Sequence, residues 1–213
     1  MKPFARAVKS IKIARQMAET LAAGTLPQQI NLSIVDDKVP NAFALPGGYV
    51  LLHSGFIQQA ESAEEVAGVL AHEIGHVYYQ HSLQRIIHHL GVSLLVDFAT
   101  GGGGTFTFAA VTLLGNAYSR DAEAEADAYA AEVMTQHGYS LDGMEAFFAR
   151  QSEEEKSEWM ERFNWLSTHP ADASRVAFLQ TYPKAKAPKP VMSAAEWKRF
   201  QSLEGCGFNA KDD

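Results

Sequence analysis

The sequence predicts a mainly helical α+β fold in which a small antiparallel β-meander lies beside a long central helix. Three observations carry this. Apolar residues alternate from Ile30 to Ile34 and two short apolar runs bounded by turn residues follow up to His53, whereas from Ser62 onward they recur at helical spacing. Of the 213 residues, 46% are hydrophobic, enough for one compact core, so a single domain over 1–213 is expected. Cys206 is the only cysteine, which excludes an internal disulfide and a structural metal site built on several thiolates.

Residues 1–24 read as an amphipathic helix. Phe4, Val8, Ile11, Ala18 and Leu21 form its apolar stripe, and Lys2, Arg6, Lys9, Lys12 and Arg15 make the remainder basic. Its expected role is to pack on the domain, although the same face could lie on an anionic membrane. Charges interrupt every apolar run here, so no secretory signal is read in it. After Gly24, Ile30, Leu32 and Ile34 point one way and Asn31 and Ser33 the other, as in a half-buried strand. "NAFAL" and "YVLLH" follow as two more strands joined by a tight "PGG" turn.

Ser62 and Glu65 form a capping-box signature at the start of the central helix, expected to run unbroken to Leu90. Between Phe98 and Tyr118 no charge appears, and four consecutive glycines, Gly101–Gly104, divide the stretch. A buried or membrane-touching helical hairpin is therefore expected over 90–116, with a true membrane span as the alternative. Another helix runs from near Ala117 to His137-Gly138, and "SLDGMEAFFARQ" begins a further one. The acidic run after Gln151 reads as a solvated face. Residues 183–213 read as a proline-rich connector, a short helix and a frayed tail. The formal charge of −7 leaves no broad basic surface, so nucleic acid is not an expected partner.

The residues with the most chemistry lie in "VLAHEIGHVYYQH", mid-helix. Positions four apart on a helix are rotated by about 40°, so His72 and His76 project from one face and can grip one ion together. Glu73, rotated by about 100° from His72, can reach a water on that ion instead. A catalytic zinc needs three protein ligands and an open position, so a third must come from elsewhere. Glu123 is the first choice, because Asp127 follows one turn later on the same side and could orient a ligand histidine. Glu125 and Glu132 remain rivals with the same chemistry. His81, His88 and His89 are expected to be solvated rings, and Arg120 and Arg175 structural ion-pair partners.

Four segments taken in order, "NAFALPGGYVLLHSGFI", "VLAHEIGHV", "SRDAEAEADAYA" and "LSTHPADASRVAFL", resemble the zinc metallopeptidases that include the CAAX prenyl proteases, HtpX and periplasmic quality-control relatives. The resemblance implies a zincin-like domain of the gluzincin type. It places His72, His76 and Glu123 on one Zn2+ per chain, Glu73 as general base and Asp127 behind a ligand. Asn41, Ala42, Phe43 and Ala44 become an open strand for a substrate strand to join. His169 is implied near the metal, steadying an oxyanion or filling the open position. The implied activity is endopeptidase cleavage of unfolded or extended protein segments in quality control, in the cell envelope. Membrane members have clear spans beside their catalytic helices, and this chain offers only 90–116, so a peripheral or soluble branch is implied, with membrane contact through 1–22 or 90–116. A zinc-bound module that holds unfolded clients without cutting them is the alternative.

Overall fold

The computed structural model describes residues 3–26, 29–90, 117–154, 165–170 and 173–203. The expected hairpin over 90–116, apart from its first residue, most of the acidic run, the tail and Cys206 lie outside them. The described elements, in order, are α1 (Pro3–Ala22), β1 (Asn31–Val35), β2 (Ala42–Leu45), β3 (Tyr49–His53), α2 (Ser54–Gln59), α3 (Ala63–Tyr78), α4 (His81–Leu90), α5 (Arg120–Gln136), α6 (Asp142–Glu154), α7 (Trp165–Thr168), α8 (Ala173–Thr181) and α9 (Ala194–Gln201). The α+β class read from the sequence holds.

The centre of the fold is α3, a helix apolar on nearly every side. Residues from Ala63 to Val77 are buried almost without exception, because α1, α5, α6 and β2 all pack around it. Ser62 caps it by accepting from the Glu65 amide at 3.2 Å. The Glu65 carboxylate does not return to Ser62 as the capping box expects; it accepts from the Glu61 amide and from Arg150. Close approach to the neighbours depends on small residues. A Cβ at Gly68 would meet Met144 of α6 at 2.7 Å, and one at Gly75 would meet Ala126 of α5 at 3.0 Å. α1 buries Ala14, Met17, Ala18 and Leu21 in the shared core, with Lys12 and Arg15 turned outward. Among the described residues no helix is long and apolar enough to cross a membrane.

The sheet differs from the expected meander. Its order is β1-β3-β2, with β1 parallel and β2 antiparallel to β3, so β3 is central and the sheet is mixed. The reason lies in residues 36–41, which wrap the end of β3 instead of making a hairpin turn. Gly55 donates to Asp37 O at 2.8 Å and His53 to Asn41 O at 2.9 Å. Gly55 is required there, since a Cβ would sit 2.1 Å from Lys38 O. The "PGG" turn behaves as read, with Gly47 and Gly48 at φ 86° and 83°, a region that costs other residues energy. The central helix also differs: it ends at Tyr78 with Tyr79 as its cap, Gln80 adopts φ 57°, and α4 starts afresh at His81.

Candidate metal centre

α3 carries His72, Glu73 and His76 into a fully buried position, each at 0% exposure. The Nε2 atoms of the two histidines stand 3.0 Å apart. α5, capped by Ser119 and closed by Gly138 at φ 71°, packs against this face and delivers Glu123. The Glu123 carboxylate lies 3.5 Å from His72 Nε2 and 3.5 Å from His76 Nε2. From the turn after α7 comes His169, whose Nδ1 is 2.9 Å from Glu123 and 3.2 Å from His72 Nε2. One ligand-type atom from each of His72, His76, Glu123 and His169 lies within 4.8 Å of the others.

The outer face of the cluster fixes its protons. Asp127 Oδ1 accepts from His72 Nδ1 at 2.8 Å, which leaves the His72 Nε2 lone pair facing inward. Arg175 clamps Asp127 through two nitrogens, at 2.7 and 2.8 Å, and its Nη1 reaches Glu123 at 2.8 Å. Trp165 Nε1 donates to Glu73 Oε1 at 3.1 Å, while Glu73 Oε2 is buried with no hydrogen-bonding partner among the described residues. Tyr118 stacks on His76, with ring centres 4.0 Å apart.

Electrostatics follow from this crowding. Burial pulls the His72 imidazole down, but hydrogen bonds and charges from Asp127 and Glu123 outweigh it and push it up to about 9. Burial, joined by the neighbouring His72 and His169, holds His76 well below the ordinary imidazole range. Burial alone would raise Glu123 and Asp127; His169, His72 and His76 hold the first, and Arg175 with His72 the second, below the usual carboxylate range. Burial pushes Tyr118 up to about 12, against the pull of Arg85.

The residues fit a divalent cation. The two imidazole Nε2 atoms stand 3.0 Å apart, and as neutral rings with both lone pairs turned inward they would repel without a positive charge between them. Three buried carboxylates, Glu73, Glu123 and Asp127, face one guanidinium, so with neutral imidazoles the pocket holds the negative excess that such an ion neutralises.

Every residue named for the metal from the sequence is therefore brought together, and the rivals are not. Glu132 is exposed and bonds Gln136, and Glu125 turns to His81. Arg175 is an ion-pair partner as expected, but inside the site; Arg120 is exposed. His81 is not solvated: it is 5% exposed and contacts His76. Trp165 was also not anticipated, although its spacing of four from His169 is a helical one and offers a signal. Asn41, Ala42 and Ala44 are buried and Phe43 half-buried, with β2 at the edge of the sheet.

The sequence model described as peptidase family M48 matches residues 7–182. A putative beta-barrel assembly-enhancing protease of Vibrio cholerae is 35% identical over 136 residues, covering 57% of this chain and 28% of that protein. The mitochondrial metalloendopeptidase OMA1 of Schizosaccharomyces pombe is 26% identical over 92% of this chain and 60% of its own length. Metalloprotease LoiP of Escherichia coli is 28% identical over 77% of this chain and 67% of its own. The chain thus spans well under the full length of the first two.

Proposed function

The chain belongs to peptidase family M48, and from that premise we propose that it is a zinc-dependent endopeptidase acting on extended or unfolded protein segments in quality control of the cell envelope. The observation that carries this reading is the meeting of His72, His76 and Glu123 at one buried point, with Glu73 beside it. Those three are the protein ligands that a catalytic zinc needs. When bound, zinc supplies Lewis acidity and lowers the pKa of water toward about 7.

Glu73 is the general base. Its Oε1 is anchored by Trp165, and its unpartnered Oε2 takes the proton of the attacking water, then returns it to the departing amine. His169, whose Nδ1 lies 3.2 Å from His72 Nε2 and 2.9 Å from Glu123, would be a fourth donor in the resting site and, with substrate present, a group able to steady the oxyanion. Asp127 and Arg175 hold His72 in the tautomer that points Nε2 inward.

The substrate strand is assigned to the outer edge of β2, Asn41 to Ala44. Asn41 O accepts from β3, so strand alternation turns the backbone groups of Ala42 and Ala44 away from β3. Asn41 Oδ1 and Ser82 Oγ already bond the Ala42 N–H and the Ala44 C=O. The Ala42 C=O and Ala44 N–H, on residues that are buried in the free chain, are the pair assigned to substrate, in a mode that accepts many sequences and admits chain on both sides of the cut. A cavity of about 230 Å³ lined by both apolar and polar residues, Leu45, Pro46, His76, Val77, Gln80 and Ser82 among them, adjoins the end of this edge and is of a size to take a side chain. The cell-envelope part of the proposal draws on likeness to the Vibrio protein, whose name refers to beta-barrel assembly.

Metal analysis with casein digestion, with and without chelator, tests the reading. Stoichiometric zinc and chelator-sensitive internal cleavage are expected; zinc-loaded protein that protects clients and yields no fragments would overturn it.

A further inference from the structure

His72 and His76 each turn one nitrogen into the cluster and the other outward, but the outward partners differ. His72 Nδ1 meets the Asp127 carboxylate at 2.8 Å. His76 Nδ1 meets no carboxylate; it lies 2.8 Å from His81 Nδ1, and His81 Nε2 lies 2.9 Å from Glu125 Oε2. Two imidazole nitrogens form a hydrogen bond only when one ring donates and the other accepts. If His76 Nε2 keeps its lone pair for an ion, His76 Nδ1 carries the proton and donates it. His81 then accepts at Nδ1, is protonated at Nε2 and donates to Glu125. With neutral rings, this single proton arrangement satisfies all three groups.

We propose that His81 is a positioning residue of the metal site, an imidazole bridge through which the Glu125 carboxylate orients His76 and fixes the tautomer that presents Nε2 to the ion. The proposal rests on the metal-binding reading given above. The fold is built to place this ring. On an unbroken helix a residue five positions on would be rotated by about 140° from His76 and would leave its side. Gln80, at φ 57°, breaks the helix and turns His81 back, where it is 5% exposed and stacks on Tyr79 at 5.4 Å. A non-glycine residue in that region stores strain, which persists where the surroundings require it. The two arms are unequal: the Asp127 side chain is 1% exposed, whereas that of Glu125 is 55% exposed. The His76 arm ends in a carboxylate that water reaches.

The test is the zinc dissociation constant, measured by competition with a chromophoric chelator, together with the Tm of the chelated protein, for wild type, His81→Ala, His81→Gln and Glu125→Ala. Expected are a 10- to 100-fold weaker affinity for His81→Ala, a smaller loss in the same direction for Glu125→Ala, and a chelated Tm for Glu125→Ala that stays at the wild-type level. His81→Gln, whose amide can accept from His76 and donate to Glu125, recovers most of the affinity. Wild-type affinity in both His81→Ala and Glu125→Ala would overturn the proposal and leave the metal reading intact. So would a His81→Gln protein that binds no better than His81→Ala. A wild-type chain that binds no zinc overturns both. Should His81→Ala fail to fold, Glu125→Ala decides, because it removes only a largely exposed carboxylate.

Discussion

Glu73 and His72 are neighbours in sequence, yet about 100° of helix rotation gives them separate work. One points a nitrogen at the cluster; the other keeps an oxygen free beside it. Glu73→Gln is therefore expected to keep zinc and to lose about 10² to 10⁴ in turnover, read by metal analysis and peptide cleavage on the same sample. Unchanged turnover with full zinc would remove Glu73 from the chemistry. The His72 shift gives a pH prediction for chelated protein. Its folded-state pKa of about 9 lies above the ordinary 6.5, so the stability it contributes is fully present below about 6.5 and is lost as pH rises through 9. The Tm of chelated wild type should fall across that window more than that of chelated His72→Gln; parallel curves would contradict it. At this scale, His72, Glu73 and His76 were legible because helical spacing alone sets their relation. His81 and Trp165 were not. Their roles depend on a backbone reversal at Gln80, where no glycine marks the turn, and on a ring arriving from 92 residues away in the chain.

Between elements, the site is a contact of two helices, α3 supplying the imidazoles and α5 the carboxylate. Gly75 sets their separation, since an added Cβ would stand 3.0 Å from Ala126 Cα, 3.1 Å from its carbonyl and 3.2 Å from Tyr129 Cβ. Gly75→Ala should lower stability by about 1–3 kcal/mol in urea unfolding, because the packed backbones must part. It should also weaken zinc binding, as Glu123 moves with α5. A substitution with neither effect would show the contact to be slack. The edge of β2 has its own test. Proline removes an N–H but is tolerated where that N–H faces outward. Ala44→Pro is expected to fold, bind zinc and cleave unfolded protein much more slowly, with full cleavage counting against the strand-addition mode. The strands themselves were legible from alternation and from "PGG". Their order was not: residues 36–41 are too polar and too short to look different whether they turn beside β2 or cross the end of β3, and only Gly55 carries a trace of the crossing.

Over the whole molecule, one ion would join α3 to α5 and the turn after α7, elements separated by long stretches of chain. Such a joint is worth most to a fold whose parts otherwise meet through helix packing. At free zinc about 1,000 times Kd, binding stabilises by about 4 kcal/mol, which for a chain of this size corresponds to a Tm rise of about 8–16 °C. Scanning calorimetry before and after chelation checks this, and an unchanged Tm would separate the ion from the architecture. The single most direct measurement is anomalous diffraction at the zinc edge from crystals of the loaded protein. One peak per chain is expected at about 2.0–2.2 Å from His72 Nε2, His76 Nε2 and a Glu123 oxygen; a peak bound elsewhere, or none in zinc-replete crystals, would contradict this metal site.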